Sequence, residues 1–272
     1  MDSTSKYKLG LQIGNGFFAV ATIVVNALAN ILPINNRFTA EISDSFPNLF
    51  VPSGFTFSIW GIIYFLLILF AIYQGRDILK KEKIEMPFLK KISFLFIVGS
   101  LANIAWIFSW HYEQIFLSLV FMLILFVSLL FIYLRLDIGK GKVNFTEKIF
   151  VHVPFSVYLG WITVATIANV TALLVQVGWD GFGISEMIWT IFVLIVGTII
   201  TSIIIISRKD IAYGLVIIWA FFGILIKRIN PDPKYGVQSE IAITAGILCI
   251  IIIVLILIRG IPLLIKRIIK TD

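Results

Sequence analysis

The stretch Ile149–Trp179, IFVHVPFSVYLGWITVATIANVTALLVQVGW, decides the fold. It holds no Asp, Glu, Lys or Arg. A helix needs about 20 mostly apolar residues to cross the hydrocarbon core of a bilayer. This stretch is long enough, and it does not alternate as a transmembrane strand would. Seven more uncharged runs flank it: Leu9–Asn36, Ser45–Gly75, Ile92–Tyr112, Gln114–Leu134, Met187–Ser207, Ile211–Ile226 and Ile241–Ile258. The expectation is an all-α, polytopic membrane bundle of about eight transmembrane helices. Ile211–Ile226 is the shortest run. It reads either as a span whose Lys227 and Arg228 snorkel from its end or as a re-entrant segment.

Composition agrees. Of 272 residues, 60% are hydrophobic and 14% charged, with a mean hydropathy of +1.03. A soluble domain is nearer half apolar and a quarter charged. A soluble enzyme and a disordered chain are both excluded. The lone Cys249 excludes a disulfide framework. Eight spans place 18 of the 22 Lys and Arg on one side, leaving Arg37, Lys227, Arg228 and Lys234 on the other. That asymmetry predicts a multi-pass cell-membrane protein with both termini cytoplasmic. It also accounts for the +7 net charge without a nucleic-acid partner. Lys6, Lys8 and Ala27-Leu28-Ala29 form a loose signal-peptide pattern, and an uncleaved first helix is expected. The Ile- and Lys-rich composition points to a bacterial source.

The segment from Pro33 to Gly54 is long for a loop and carries Phe38, Phe46, Leu49, Phe50 and Val51. It reads as a lid over the bundle mouth or as a segment lying on lipid headgroups. The loops GRDILKKEKIEMP and RLDIGKGKVN read as headgroup contacts. No run contains an acid or strong base, which argues against a carboxylate-coupled pump and a retinal-type Schiff base. His111 and His152 have no partner at metal-ligand spacing, so no metal site is expected. Asn15, Thr22, Asn26 and Asn30 share one face of the first helix. They point into the bundle, either to bond other helices or to meet a ligand.

Aromatic residues form a second pattern. Trp60 and Tyr64 are four apart. Asn103, Trp106 and Trp110 are three and four apart. Tyr158, Trp161, Ala165 and Asn169 form a 3-4-4 stripe. Each set occupies one helix face. Three such faces can meet around a flat apolar ligand, or the rings can anchor helices at the membrane interface. Spacing alone favours anchoring, although Trp161 lies deep in its run.

These segments resemble the tryptophan-rich sensory protein or translocator protein (TspO/MBR) family. Its second helix typically reads P-P-x-W-x-x-x-P-x-W-x-x-L-Y. VPSGFTFSIWGIIY keeps Pro52, Trp60 and Tyr64, with Gly54 at the first Trp and Ser58 at the inner Pro. The third helix often begins N-x-A-W, here Asn103-Ile104-Ala105-Trp106. The fifth typically reads P-Y-x-x-W-x-x-F-A-T-x-x-N. VYLGWITVATIAN keeps Tyr158, Trp161, Ala165, Thr166 and Asn169, with the Pro one turn back at Pro154 and Val164 at the aromatic. The likeness covers about residues 9–178.

The resemblance implies a TspO-like five-helix membrane domain over 1–180, followed by a three-helix extension over 181–272. It implies a receptor, sensor or carrier for a porphyrin-like ligand, with the long first loop over the pocket. The carried-over ligand residues are Trp60, Tyr64, Asn103, Trp106, Tyr158, Trp161, Ala165 and Asn169. No catalytic residue and no required cofactor are expected. Alternatives are an uncoupled transporter, a membrane partner protein or, less favoured, a porphyrin-degrading enzyme. Expected partners are the bilayer, a small apolar or tetrapyrrole ligand, and a second copy of the chain.

Overall fold

The computed structural model describes residues 3–32 and 34–268. The side chains of Asn30, Lys266 and Arg267, and all of Pro33 and Lys270, lie outside what is described. Eight principal helices follow in order. They are α1 (Ser3–Ile31), α2 (Ile59–Gly75), α3 (Leu95–His111), α4 (Ile115–Arg135), α5 (Val153–Gln176), α6 (Glu186–Arg208), α7 (Ile211–Ile229) and α8 (Ser239–Ile268). Among the described residues no strand forms beyond one isolated bridge, Asp232–Gly236.

Seven of these elements are long and apolar enough to span a membrane among the described residues. The eighth, α3, has 17 residues, about 25 Å of helix against a core of about 30 Å. The run Ile92–Tyr112 is uninterrupted in sequence but broken in structure. Ser93 takes φ 50°, ψ −140°, and Ile92 closes a separate short helix, Pro87–Ile92. The doubtful seventh run, by contrast, extends through Lys227 and Arg228 into a 19-residue helix. Arg228 does not snorkel, because it is 1% exposed.

Helix ends follow local chemistry. Asn144 accepts the Glu147 N–H and starts the 32-residue helical stretch Phe145–Gln176. Pro154 has no N–H to give the turn before it, and the chain passes through a π turn at Lys148–His152. Ser185 caps α6. Lys209, left-handed at φ 57°, ends α6, and Asp210 caps α7 by accepting the Tyr213 N–H at 3.3 Å. Two residues thus reverse the chain.

Packing gives a ring of five. Helix α1 lies against α2 and α3, α3 against α4, α4 against α5, and α5 against α2. Helices α6, α7 and α8 pack on one another, and α7 joins α5. At that seam Gly160 sits against Val216; a Cβ there would lie 3.1 Å from it. Inward positions on α4 include Ser118, Met122, Leu125, Ser128 and Ile132, while Phe116, Leu123, Val127 and Phe131 face outward. Both serines of the helix lie inside while Phe, Leu and Val face outward, the pattern of a helix in lipid. An apolar groove of about 500 Å³ separates α5 from α6, lined by Val170, Trp179, Trp189 and Phe192 among others.

Loops gather at two ends. Residues 34–58, 112–114, 177–185 and 230–238 share the lid end, tied by Arg37–Glu113, Lys227–Asp44 and a bond from the Tyr235 hydroxyl to the Pro47 carbonyl. The opposite end carries the start of α1 and residues 76–94, 136–152 and 209–210.

Candidate functional site

The first inter-helix segment is packed, not spread on a surface. Phe46, Leu49, Phe50 and Val51 are all buried. A short helix, Thr39–Asp44, lies against α3. The Asn48 side chain accepts the N–H groups of Phe50 and Val51 at 3.0 and 3.1 Å and folds the turn behind it. His111 pins this lid. Its Nδ1–H donates to the Ile34 carbonyl at 3.1 Å, which leaves Nε2 to accept the Thr39 hydroxyl at 3.0 Å. Trp110 Nε1 donates to the Thr39 carbonyl at 3.2 Å.

Beneath the lid the predicted aromatic faces converge. Trp60 is the hub. It stacks on Tyr64 at 5.6 Å and on Trp106 at 6.0 Å, and meets Tyr158 and Trp161 edge-on, each at 6.2 Å. These are ordinary aromatic geometries. Trp60, Trp106 and Trp161 are 8%, 5% and 2% exposed, so none is an interfacial anchor. Trp60, Trp106, Trp161, Ala165 and Asn169 line one cavity. Tyr64, Tyr158 and Asn103 stand behind its wall.

Polar bonds fix the frame. Asn26 donates to Asn103 at 2.6 Å, and Asn103 donates to the Tyr158 hydroxyl at 3.0 Å. Trp106 Nε1 donates to Asn169 Oδ1 at 3.1 Å, and Asn169 Nδ2 donates to the Ser118 hydroxyl at 2.9 Å. The buried asparagines therefore tie α1 to α3 to α5 to α4. Trp161 Nε1 is buried with no hydrogen-bond partner among the described residues.

The cavity is small. About 40 Å³ remains between the rings, room for a water or two. Sites for small organic ligands span about 300–1,000 Å³. In this closed arrangement the rings satisfy one another, and a tetrapyrrole fits only if they part.

Other residues complete the site. Trp110 lines it at 5% exposure, although its place near a helix end suggests an anchor. Thr39 and Ser43 of the lid helix form its roof. Phe57 lies edge-on to Trp161 at 5.9 Å. It supplies a ring on the helix-entry turn Gly54–Ser58, whereas Gly54, where the resemblance expects a Trp, faces open space. No spacing rule marks Thr39 or Phe57, because loop geometry places them.

A second polar centre lies at the opposite end. Asp77, inside GRDILKKEKIEMP, is fully buried instead of meeting headgroups. It pairs with Lys8 and accepts the Gln12 amide and the Ile84 N–H, each at 2.7 Å. Burial alone would raise its pKa. The Lys8, Gln12 and Ile84 bonds outweigh that and hold the carboxyl at about 2. Asp210, at the α6–α7 turn, is likewise buried and accepts from Tyr133 at 2.9 Å and Ser156 at 2.7 Å.

A family model described as TSPO-like protein matches residues 12–258. The chain belongs to the TSPO-like protein family. The TSPO-like match runs past the motif-bearing segments and through most of α8. The ring of five helices and the aromatic site under its lid thus sit in a longer TSPO-like pattern that takes in α6 and α7. No curated protein and no solved structure matches the chain. The TSPO-like assignment describes a multi-pass membrane protein of sensor or transporter type.

Proposed function

We propose that this TSPO-like protein is a receptor, sensor or carrier for a flat apolar ligand of the porphyrin or tetrapyrrole class, bound among Trp60, Trp106 and Trp161. The observation that carries this reading is the convergence of α2, α3 and α5 rings on one buried point beneath a pinned lid. Stacking on large flat rings is the interaction such a cluster offers. Tyr64, Tyr158 and Ala165 would complete the wall, and Asn103 and Asn169 would hold it in shape. Binding then requires lid movement, since the closed cavity holds about 40 Å³. No catalytic role is proposed. The lid end faces away from the cytoplasm in this reading, and both termini face it, by the distribution of basic residues. The five-helix ring carries the site; α6–α8 support it.

The test is a tryptophan-fluorescence titration of the protein in nanodiscs with protoporphyrin. Trp60→Phe and Trp161→Phe run in parallel. Saturable quenching that weakens in both variants supports the reading. Quenching that fails to saturate, or is unchanged in the variants, removes it.

A further inference from the structure

Arg228 lies in the last turn of α7, 1% exposed. Its Nε and Nη1 have no hydrogen-bond partner among the described residues. The Asp232 carboxylate is 3.6 Å away, an ion pair but too long for a hydrogen bond. The Tyr235 ring is 5.9 Å from the guanidinium. A guanidinium has five donors in a planar fork and does not deprotonate in proteins. Burying those donors unpaired is unfavourable.

Arg228 borders a cavity of about 350 Å³. The lid supplies Ser43, Asp44 and Asn48; the last turn of α7 supplies Lys227, and the α7–α8 turn Asp232 and Lys234. Both acids already have partners. Asp44 holds Lys227 at 2.6 Å, and Asp232 accepts the N–H groups of Lys234 and Tyr235 at 2.9 and 3.1 Å. Lys227, Arg228 and Lys234 line it with Asp44 and Asp232, and Glu186 lies beside Tyr235 on the same wall, so the charges balance while the Arg228 donors Nε and Nη1 still lack a partner among the described residues. Lys234, exposed at the mouth, lies 4.7 Å from the Tyr235 ring centre.

We propose that this cavity binds the carboxylate of a small organic acid, forked by Arg228 and capped by Lys234. A carboxylate matches the planar fork in shape. A phosphate dianion would meet Asp44 and Asp232 across the cavity. The volume falls within the range of small-ligand sites. Because one wall is the lid, an acid bound here also fastens the lid to the α7–α8 turn. The site does not depend on the aromatic cavity being a ligand site.

Isothermal titration calorimetry of the full chain, in nanodiscs of zwitterionic lipid, tests this with butyrate, benzoate and inorganic phosphate as probes. Saturable binding of a carboxylate is expected. Arg228→Lys keeps the charge and loses the fork, and weakens binding about tenfold or more. Lys234→Gln, on an exposed side chain that leaves the fold intact, weakens it severalfold. Hydrogen exchange at residues 43–51 slows when the acid is bound. No saturable heat from either acid overturns the site. So does carboxylate binding that both variants leave unchanged. Phosphate binding tighter than either carboxylate overturns the ligand class.

Discussion

Asn169 accepts from Trp106 and donates to Ser118 inside the bundle. Replacing it with Ala leaves a buried indole N–H unpaired, at a cost of about 1–3 kcal/mol. Thermal unfolding of Asn169→Ala in detergent should show this loss; an unchanged melting temperature refutes the frame role. Trp161 differs, because its Nε1 has no bond to lose. Trp161→Phe should therefore remain folded and report on ligand stacking alone. Asp77 carries a pH prediction. Its folded pKa is depressed from 3.8 to about 2. Its contribution is complete above the unfolded value and disappears as pH falls through the folded one. The window is therefore about pH 4 to 2, and the contribution roughly 2 kcal/mol. Melting curves across that window should fall more steeply for the wild type than for Asp77→Asn. Parallel curves would show that the Lys8–Asp77 latch adds nothing.

Between elements, the turn Gly54–Ser58 meets α7 so closely that a Cβ on Gly223 would lie 2.0 Å from Thr56 Oγ1. Thr56 is fully buried and branched at Cβ, so it cannot swing away. Ser53 donates to the Gly223 carbonyl, and Trp219 Nε1 to the Thr56 carbonyl, at 3.0 and 2.9 Å. Gly223→Ala should cost about 1–3 kcal/mol by overpacking, measured as a drop in melting temperature with the helical content unchanged. The lid gives the complementary prediction. A cleavable bis-maleimide joining Asp44→Cys to Lys227→Cys, in a Cys249→Ala background, should hold the lid shut and abolish ring-ligand binding until the linker is cut. Binding that persists in the cross-linked protein rules out entry through the lid.

Such contacts also mark what sequence could and could not tell. Eight helices were legible because uncharged runs of this length have few other folds. That Trp60, Trp106 and Trp161 each share a helix face with their neighbours was legible from spacing; that those faces turn inward was not, since spacing alone favours anchoring at the interface. The break at Ser93 was not, since a single positive φ leaves no mark on hydropathy. Burial of Asp77, Asp210 and Arg228 was not either. Each sits at the edge of an apolar run, where charge normally signals exposure; Asp77 and Asp210 are buried through partners distant in sequence, and Arg228 with only Asp232 and Tyr235 beside it. Phe57 and Thr39 reach the site by loop folding, for which no periodicity exists.

Across the whole molecule, α7 and the turn that follows it hold the lid in place. The Tyr235 hydroxyl donates to Pro47 and Lys227 reaches Asp44. Tyr235→Phe removes one bond worth about 1 kcal/mol. Amide exchange at residues 44–51 should then quicken about fivefold, while α3 and α4 stay protected. Equal exchange in both proteins would separate the lid from the C-terminal helices. At the other end, Gly139 at φ 84° meets the Arg208 carbonyl so closely that a Cβ would sit 1.9 Å from it, and Arg208 donates to the Ile138 carbonyl at 3.2 Å. The three-helix unit is fastened to the ring at both ends and along the α5–α7 seam, and open between α5 and α6.

Ser43 borders both the aromatic cavity and the Arg228 cavity. Thr39–Asp44, less than two turns of helix, is a party wall between them. Any displacement of that wall changes both volumes at once. Two ligands on its two faces would therefore be reciprocal: whatever factor the first imposes on the affinity of the second, the second imposes on the first. A membrane protein so built would register a coincidence of two solutes rather than the concentration of either.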